Sequence, residues 1–111
     1  SNILIMGLTF KENCPDIRNT RIVDLYKNFA NLNCNVEVYD PLVSISQAIS
    51  KYKIELIKYP KNNKYDAIVM AVAHDEFKEL PLKVIKAFGK TKHVLFDVKH
   101  IYKLNEVDGR L

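Results

Sequence analysis

Gly7-Leu8-Thr9-Phe10-Lys11-Glu12-Asn13-Cys14-Pro15-Asp16-Ile17-Arg18-Asn19-Thr20 follows directly on the apolar run Ile3-Leu4-Ile5-Met6, and the reading of this junction decides the fold. A short apolar run that stops at a glycine reads as a buried strand ending in a tight turn. Behind the glycine, Lys11, Glu12, Asp16 and Arg18 crowd with Asn13 and Asn19 into a polar loop, which hands over at Asn19 or Thr20 to an amphipathic helix. The first N–H groups of a helix are unpaired and the dipole there favours negative charge. Strand end, charged loop and helix start together therefore make a place for an anionic ligand, and this loop is read as the site.

Outward from the loop, strand and helix patterns alternate. Ile22, Tyr26, Phe29 and Ala30 recur at helical spacing, with Val23 and Leu25 widening the stripe, so a helix is expected over roughly residues 21–32, with Asn33 as a left-handed stop. A strand is expected over 36–39, ended by Asp40-Pro41, because the residue before a proline is pushed out of helical geometry. A weaker helix is expected at 43–51, and a short strand at 55–57 before the turn Pro60-Lys61-Asn62-Asn63. Ala67-Ile68-Val69-Met70-Ala71-Val72-Ala73 is the most continuous apolar run, with the β-branched content of a central parallel strand covered on both faces, and it ends at His74-Asp75-Glu76. Pro81 and Gly89 bracket a further helix as N1 and C′ residues, with Val84, Ile85 and Phe88 as its buried face. Val94-Leu95-Phe96 makes the last strand, ending at Asp97-Val98-Lys99, and the tail from 100 to 111 is too polar to classify. The expected fold is α/β: a Rossmann-like, doubly wound parallel sheet of five strands in three αβα layers.

Composition narrows the function. A chain of 111 residues that is 48% hydrophobic suits one domain, residues 1–111, with one core. The apolar runs are far shorter than the ~20 residues of a membrane span and no signal-peptide pattern opens the chain, so a cytoplasmic location with no membrane partner is expected. Cys14 and Cys34 are too few and too far apart for a disulfide scaffold or a paired metal motif, so reduced thiols and no metal are expected. The net charge of +4 and pI near 9.0 come from scattered lysines rather than a basic stripe interleaved with aromatics, which argues against nucleic acid.

In a doubly wound sheet ligands bind beyond the carboxyl ends of the strands, where the strand order reverses. With the order 3-2-1-4-5 that crevice lies between the strand ending at Gly7 and the one ending at Ala73, and it gathers residues 8–19, His74 and Lys99. A lysine as point charge and an arginine as planar fork could neutralise a diphosphate. Each candidate has a plainer reading. The Gly-x-Gly-x-x-Gly pattern is absent after Gly7, and Asp40 lies farther on than the ~20 residues expected of a ribose-binding acid, so a turn or cap role is expected for it. His74 could be a base, but a loop histidine without a partner is expected to be solvated. Cys14 could be a nucleophile, but no histidine partner is fixed, so an unreactive thiol is expected. Lys11 and Arg18 could simply pair with Glu12 and Asp16; their density in one loop at a strand end favours binding.

The stretch Gly7 to Thr20 resembles the signature that opens the C-terminal, UDP-binding domain of the UDP-glucose/GDP-mannose dehydrogenase family. Val38-Tyr39-Asp40-Pro41, the run from Tyr65 to His74 and Phe96-Asp97-Val98-Lys99 resemble the same family in order and spacing, so the similarity spans essentially the whole chain. It is strongest to the branch that oxidises UDP-N-acetylhexosamines (UDP-GlcNAc, UDP-GalNAc, UDP-ManNAc) to uronic acids for capsule, O-antigen or Vi-type polysaccharide. The resemblance implies that Phe10 and Lys11 hold the UDP-sugar, with Lys99 where many relatives carry an arginine, and that Arg18 reaches the NAD bound by another domain. Thr9, Asn13 and Asp16 fall in the same loop as support. Family members oxidise C6 of the sugar twice with two NAD and a cysteine from a Gly-Gly-x-Cys-type motif; neither Cys14 nor Cys34 has that context, so no catalytic residue is expected here. The chain is expected to be one domain of a longer dehydrogenase, partnered by an N-terminal NAD-binding domain and a central helical region that forms a homodimer, and to bind without catalysing.

Two other classes fit parts of the pattern. A stand-alone nucleotide-binding or regulatory module would share the fold. A phosphoacceptor receiver domain also has five parallel strands and a lysine after the last, but its acidic pair is missing, since the first strand ends at Gly7-Leu8.

Overall fold

The computed structural model describes residues 1–9, 11–17, 21–98, 102–103 and 106–110. Phe10, Arg18, Asn19, Thr20, Lys99 and the tail residues 100, 101, 104, 105 and 111 lie outside them. The elements are β1 (Asn2–Met6), α1 (Ile22–Asn31), β2 (Asn35–Tyr39), α2 (Ile45–Tyr52), β3 (Tyr65–Met70), α3 (Asp75–Glu79), α4 (Leu82–Phe88), β4 (Gly89–Asp97) and β5 (Gly109–Arg110). The five strands form one sheet in the order β2-β1-β3-β4-β5, and every pair is parallel. The chain leaves β1 to one side for β2 and then crosses back to the other side for β3. The reversal therefore falls between β1 and β3, as the sequence predicts.

Side chains alternate along β1, and this alternation builds two cores. Ile3 and Ile5 face α1 and α2, packing with Val23, Val38 and Ala48, while Leu4 and Met6 face α3 and α4, packing with Phe77, Ile85 and Phe88. Helices thus cover both faces, giving the three layers. Cover over β3 is less complete than expected: beside α1 an apolar groove of about 550 Å³ exposes the Ala67, Val69, Val94 and Phe96 side of the sheet.

Local chemistry sets most boundaries. Asn33 ends α1 with φ 60, as expected, and the Asn33 and Cys34 N–H groups return to the carbonyls of Ala30 and Phe29 at 3.0 and 3.2 Å. Ser44 opens α2, its Oγ accepting from Gln47 N–H at 3.4 Å, and Lys53 closes it in the left-handed region at φ 58. Arg21 precedes α1 without a side-chain cap, and the expected caps Asn19 and Thr20 lie outside the described residues.

Two expectations are corrected, and two elements were not foreseen. The strand expected at 55–57 is a single parallel bridge, Val38 to Leu56, on the outer edge of β2, because α2 and the Pro60 turn leave too little extended chain for a ladder. Gly89 is not left-handed; it is extended (φ −76, ψ 156) and begins β4 five residues before Val94, with the His93 ring 2.4 Å from where a Cβ would sit. The stretch after His74 is a short helix, α3, which buries Phe77. The polar tail contributes β5, held by Asp108, whose carboxylate accepts from Leu95 N–H at 2.7 Å.

Candidate functional site

The carboxyl ends of β1, β2 and β3 converge on one buried cluster. Gly7 makes the turn out of β1 at φ 108, and a Cβ there would lie 2.6 Å from Val72 Cβ, so only glycine fits both the backbone and the space. Its N–H donates to the Tyr39 carbonyl at 2.9 Å, while the Ala71 and Val72 N–H groups donate to the Met6 carbonyl at 3.0 and 3.3 Å. The three strand ends are thereby locked together.

Asp40, 4% exposed, organises the loop that follows. Its Oδ2 accepts from Leu8 N–H at 2.8 Å, from Thr9 N–H at 3.3 Å and from His74 Nε2 at 2.9 Å, and its Oδ1 accepts from Leu42 N–H at 2.9 Å. The Leu42 bond is the turn role expected from sequence; the other three were not foreseen. Burial pushes the carboxyl pKa up, but the hydrogen bonds from His74, Leu8 and Leu42 outweigh it and hold Asp40 below the usual carboxylate range. The Leu8 and Thr9 amides, spent on Asp40, are not free to cradle a pyrophosphate, so the turn after β1 is not a dinucleotide clamp.

His74 corrects the sequence expectation most sharply: it is completely buried, not solvated. Besides Asp40, it meets Thr9 Oγ1 at 3.2 Å, and its Nδ1 accepts from Asn13 N–H at 2.9 Å. Thr9, also buried, turns its hydroxyl to the Lys11 carbonyl at 2.9 Å. Asn13 sits in the left-handed region at φ 59, and its Oδ1 accepts from Asp75 N–H at 2.9 Å, fastening the loop to α3. At the far end Ile17 is buried, and its carbonyl accepts from the Tyr52 hydroxyl of α2.

The loop is thus fixed by its backbone and presents Lys11 and Glu12 to solvent. Lys11 makes no ion pair with the described residues, so the plain reading in which it pairs with Glu12 does not hold. Cys14 is a half-buried free thiol. Asp16 borders an open cleft of about 360 Å³ between the loop and α2. Phe10, Arg18 and Lys99, named as contacts from sequence, lie outside the described residues. A larger cleft of about 480 Å³ sits at the opposite end of the strands, where Tyr65 donates to Glu37 at 2.7 Å and Lys64 pairs with Glu37 at 2.9 Å; ligands of doubly wound sheets do not bind there. Among the described residues no group of three or more His, Cys, Asp or Glu is placed to hold a metal ion, and no helix is long and apolar enough to cross a membrane.

An open parallel sheet covered by helices, with a pinned loop at its switch point, defines a doubly wound, Rossmann-like α/β domain as a class. Residues 4–104 match the UDP binding domain of the UDP-glucose/GDP-mannose dehydrogenase family, and the chain belongs to that family. It is 45% identical over 111 residues to the UDP-N-acetyl-D-glucosamine 6-dehydrogenases of Salmonella typhi and of Pseudomonas aeruginosa, covering all of this chain and 26% of each relative. Its fold matches a UDP-glucose dehydrogenase structure from the hyperthermophilic archaeon Pyrobaculum islandicum with a TM-score of 0.73, at 19% identity, over 98% of this chain and 24% of that one. The chain spans about a quarter of the length of these relatives.

Proposed function

We propose that residues 1–111 form the UDP-sugar-holding domain of a longer NAD-dependent dehydrogenase that oxidises C6 of a UDP-N-acetylhexosamine to the uronic acid for surface polysaccharide. The observation that carries this is the exposed Lys11, without an ion pair among the described residues, on a loop pinned at the reversal point between β1 and β3, in a chain 45% identical to two UDP-N-acetyl-D-glucosamine 6-dehydrogenases. In this reading Lys11, Phe10 and Lys99 hold the UDP-sugar, and Thr9, Asn13 and Asp16 shape the loop. NAD is held by another part of the polypeptide and is reached from here by Arg18. The whole enzyme is a cytoplasmic homodimer, and the domain alone binds without turnover.

Amide spectra of the chain titrated with UDP-N-acetylglucosamine test the reading. Perturbation of the loop amides is expected, weakly, because part of the pocket belongs to the rest of the enzyme; perturbation confined to residues 51–64 would mark a nonspecific basic surface instead. NADH formation by the isolated chain would overturn the division of labour.

A further inference from the structure

The hydrogen bonds around His74 fix its tautomer. A ring nitrogen that accepts a hydrogen bond carries no proton, so acceptance of Asn13 N–H by Nδ1 places the proton of the neutral ring on Nε2. Nε2–H points at Asp40 Oδ2, 2.9 Å away, and shares a longer contact with Thr9 Oγ1, whose own hydrogen goes to the Lys11 carbonyl. Asp40 and His74, beyond the ends of β2 and β3, thereby set the backbone at 8, 9 and 13, and the Thr9 hydroxyl that meets His74 holds the carbonyl of Lys11 between them.

We propose that Asp40 and His74 form a positioning dyad for Lys11: Asp40 selects the Nε2–H tautomer, and the bare Nδ1 then holds Asn13 in its left-handed conformation so that the Lys11 ammonium is presented to the diphosphate. The inference rests on the reading that this loop binds the UDP-sugar.

Long-range proton–nitrogen NMR of the chain at neutral pH reads the tautomer directly. Protonated Nε2 with bare Nδ1 is expected for His74; the opposite tautomer, or a charged ring at neutral pH, overturns the dyad. UDP-N-acetylglucosamine is the binding probe because its diphosphate is the group that the Lys11 ammonium would meet. H74F is expected to bind it about tenfold more weakly than the native chain, with H74Q restoring part of the loss. Equal affinity of H74F and the native chain overturns the proposal. If the native chain binds no UDP-sugar at all, the proposed function fails, but exchange of the Asn13 amide still decides the dyad: it must accelerate in H74F, and an unchanged rate overturns it. Should H74F not fold, the tautomer of the native chain and the affinity of H74Q carry the test.

Discussion

The hydroxyl of Tyr52 donates to the carbonyl of Ile17 at 2.5 Å, joining residues 35 apart in sequence. This bond ties α2 to the far end of the loop whose near end Asp40 holds at Leu8 and Thr9. Between two such anchors the exposed residues 11 and 12 are carried on a held backbone, which lowers the ordering cost of any contact they make with a ligand.

Tyr52→Phe removes that bond and leaves the Ile17 carbonyl without it. A loss of about 1 kcal/mol is expected, with faster amide exchange over 13–17 and unchanged exchange in β3 and β4. Urea denaturation combined with hydrogen exchange checks both parts; uniform acceleration across the sheet would mean that the bond supports the whole fold rather than the loop.

Gly7→Ala meets two obstacles, a φ of 108 and a Cβ 2.6 Å from Val72 Cβ. A loss of about 2–4 kcal/mol is expected from backbone strain and overpacking together. Adding Val72→Ala should relieve the contact but not the φ, so the double variant should recover only part of the stability, which thermal or urea melts of the three proteins will show.

Acid should unlock the site. Burial raises the Asp40 pKa, but hydrogen bonds from His74, Leu8 and Leu42 lower it more, so the folded value lies below the unfolded one. The resulting stabilisation is fully present above the unfolded pKa of about 3.9 and is lost as pH falls through the folded value. Glu37, whose burial is likewise outweighed by hydrogen bonds from Tyr65 and Lys64, adds to the same window. Denaturation midpoints across that range should fall less steeply for Asp40→Asn than for the native chain, from a lower starting stability; parallel curves would show that Asp40 is not a major source of acid lability.

In the full-length enzyme proposed above, Lys11→Ala should raise the KM for the UDP-sugar and Arg18→Ala the KM for NAD, each by roughly ten- to hundredfold, the scale of one charge-assisted hydrogen bond of ~1.5–3 kcal/mol. Lys11 is exposed, so its variant should melt close to the native protein. Steady-state kinetics of both variants decide the matter, since an unchanged KM for both substrates would remove the loop from the active site.

The sequence by itself determined the alternation of strands and helices, the reversal between β1 and β3, the turn at Gly7, the left-handed stop at Asn33 and the family. These are local properties: apolar periodicity, glycine and asparagine at turns, and a motif of fourteen consecutive residues are all written along the chain. The short strand at 55–57 was legible in place but not in extent, because how much of a strand pairs depends on what reaches the sheet edge. β5 was not legible, since two residues of a polar tail become a strand only when β4 offers an edge and Asp108 accepts from Leu95.

The site divides the same way. That Lys11 stands on an exposed polar loop at a strand end could be read from the charge density there. Asp40 and His74 as its frame could not: they stand 34 residues apart, and Asn13 is 61 residues from His74. Each looks like an ordinary loop residue when only its neighbours in sequence are considered. Parallel register places the ends of β1, β2 and β3 side by side, and that juxtaposition buries a histidine expected in solvent and gives its two nitrogens opposite roles. Burial and partner choice are properties of the packed sheet, where an unpaired polar group is costly and so must find its partner across the fold.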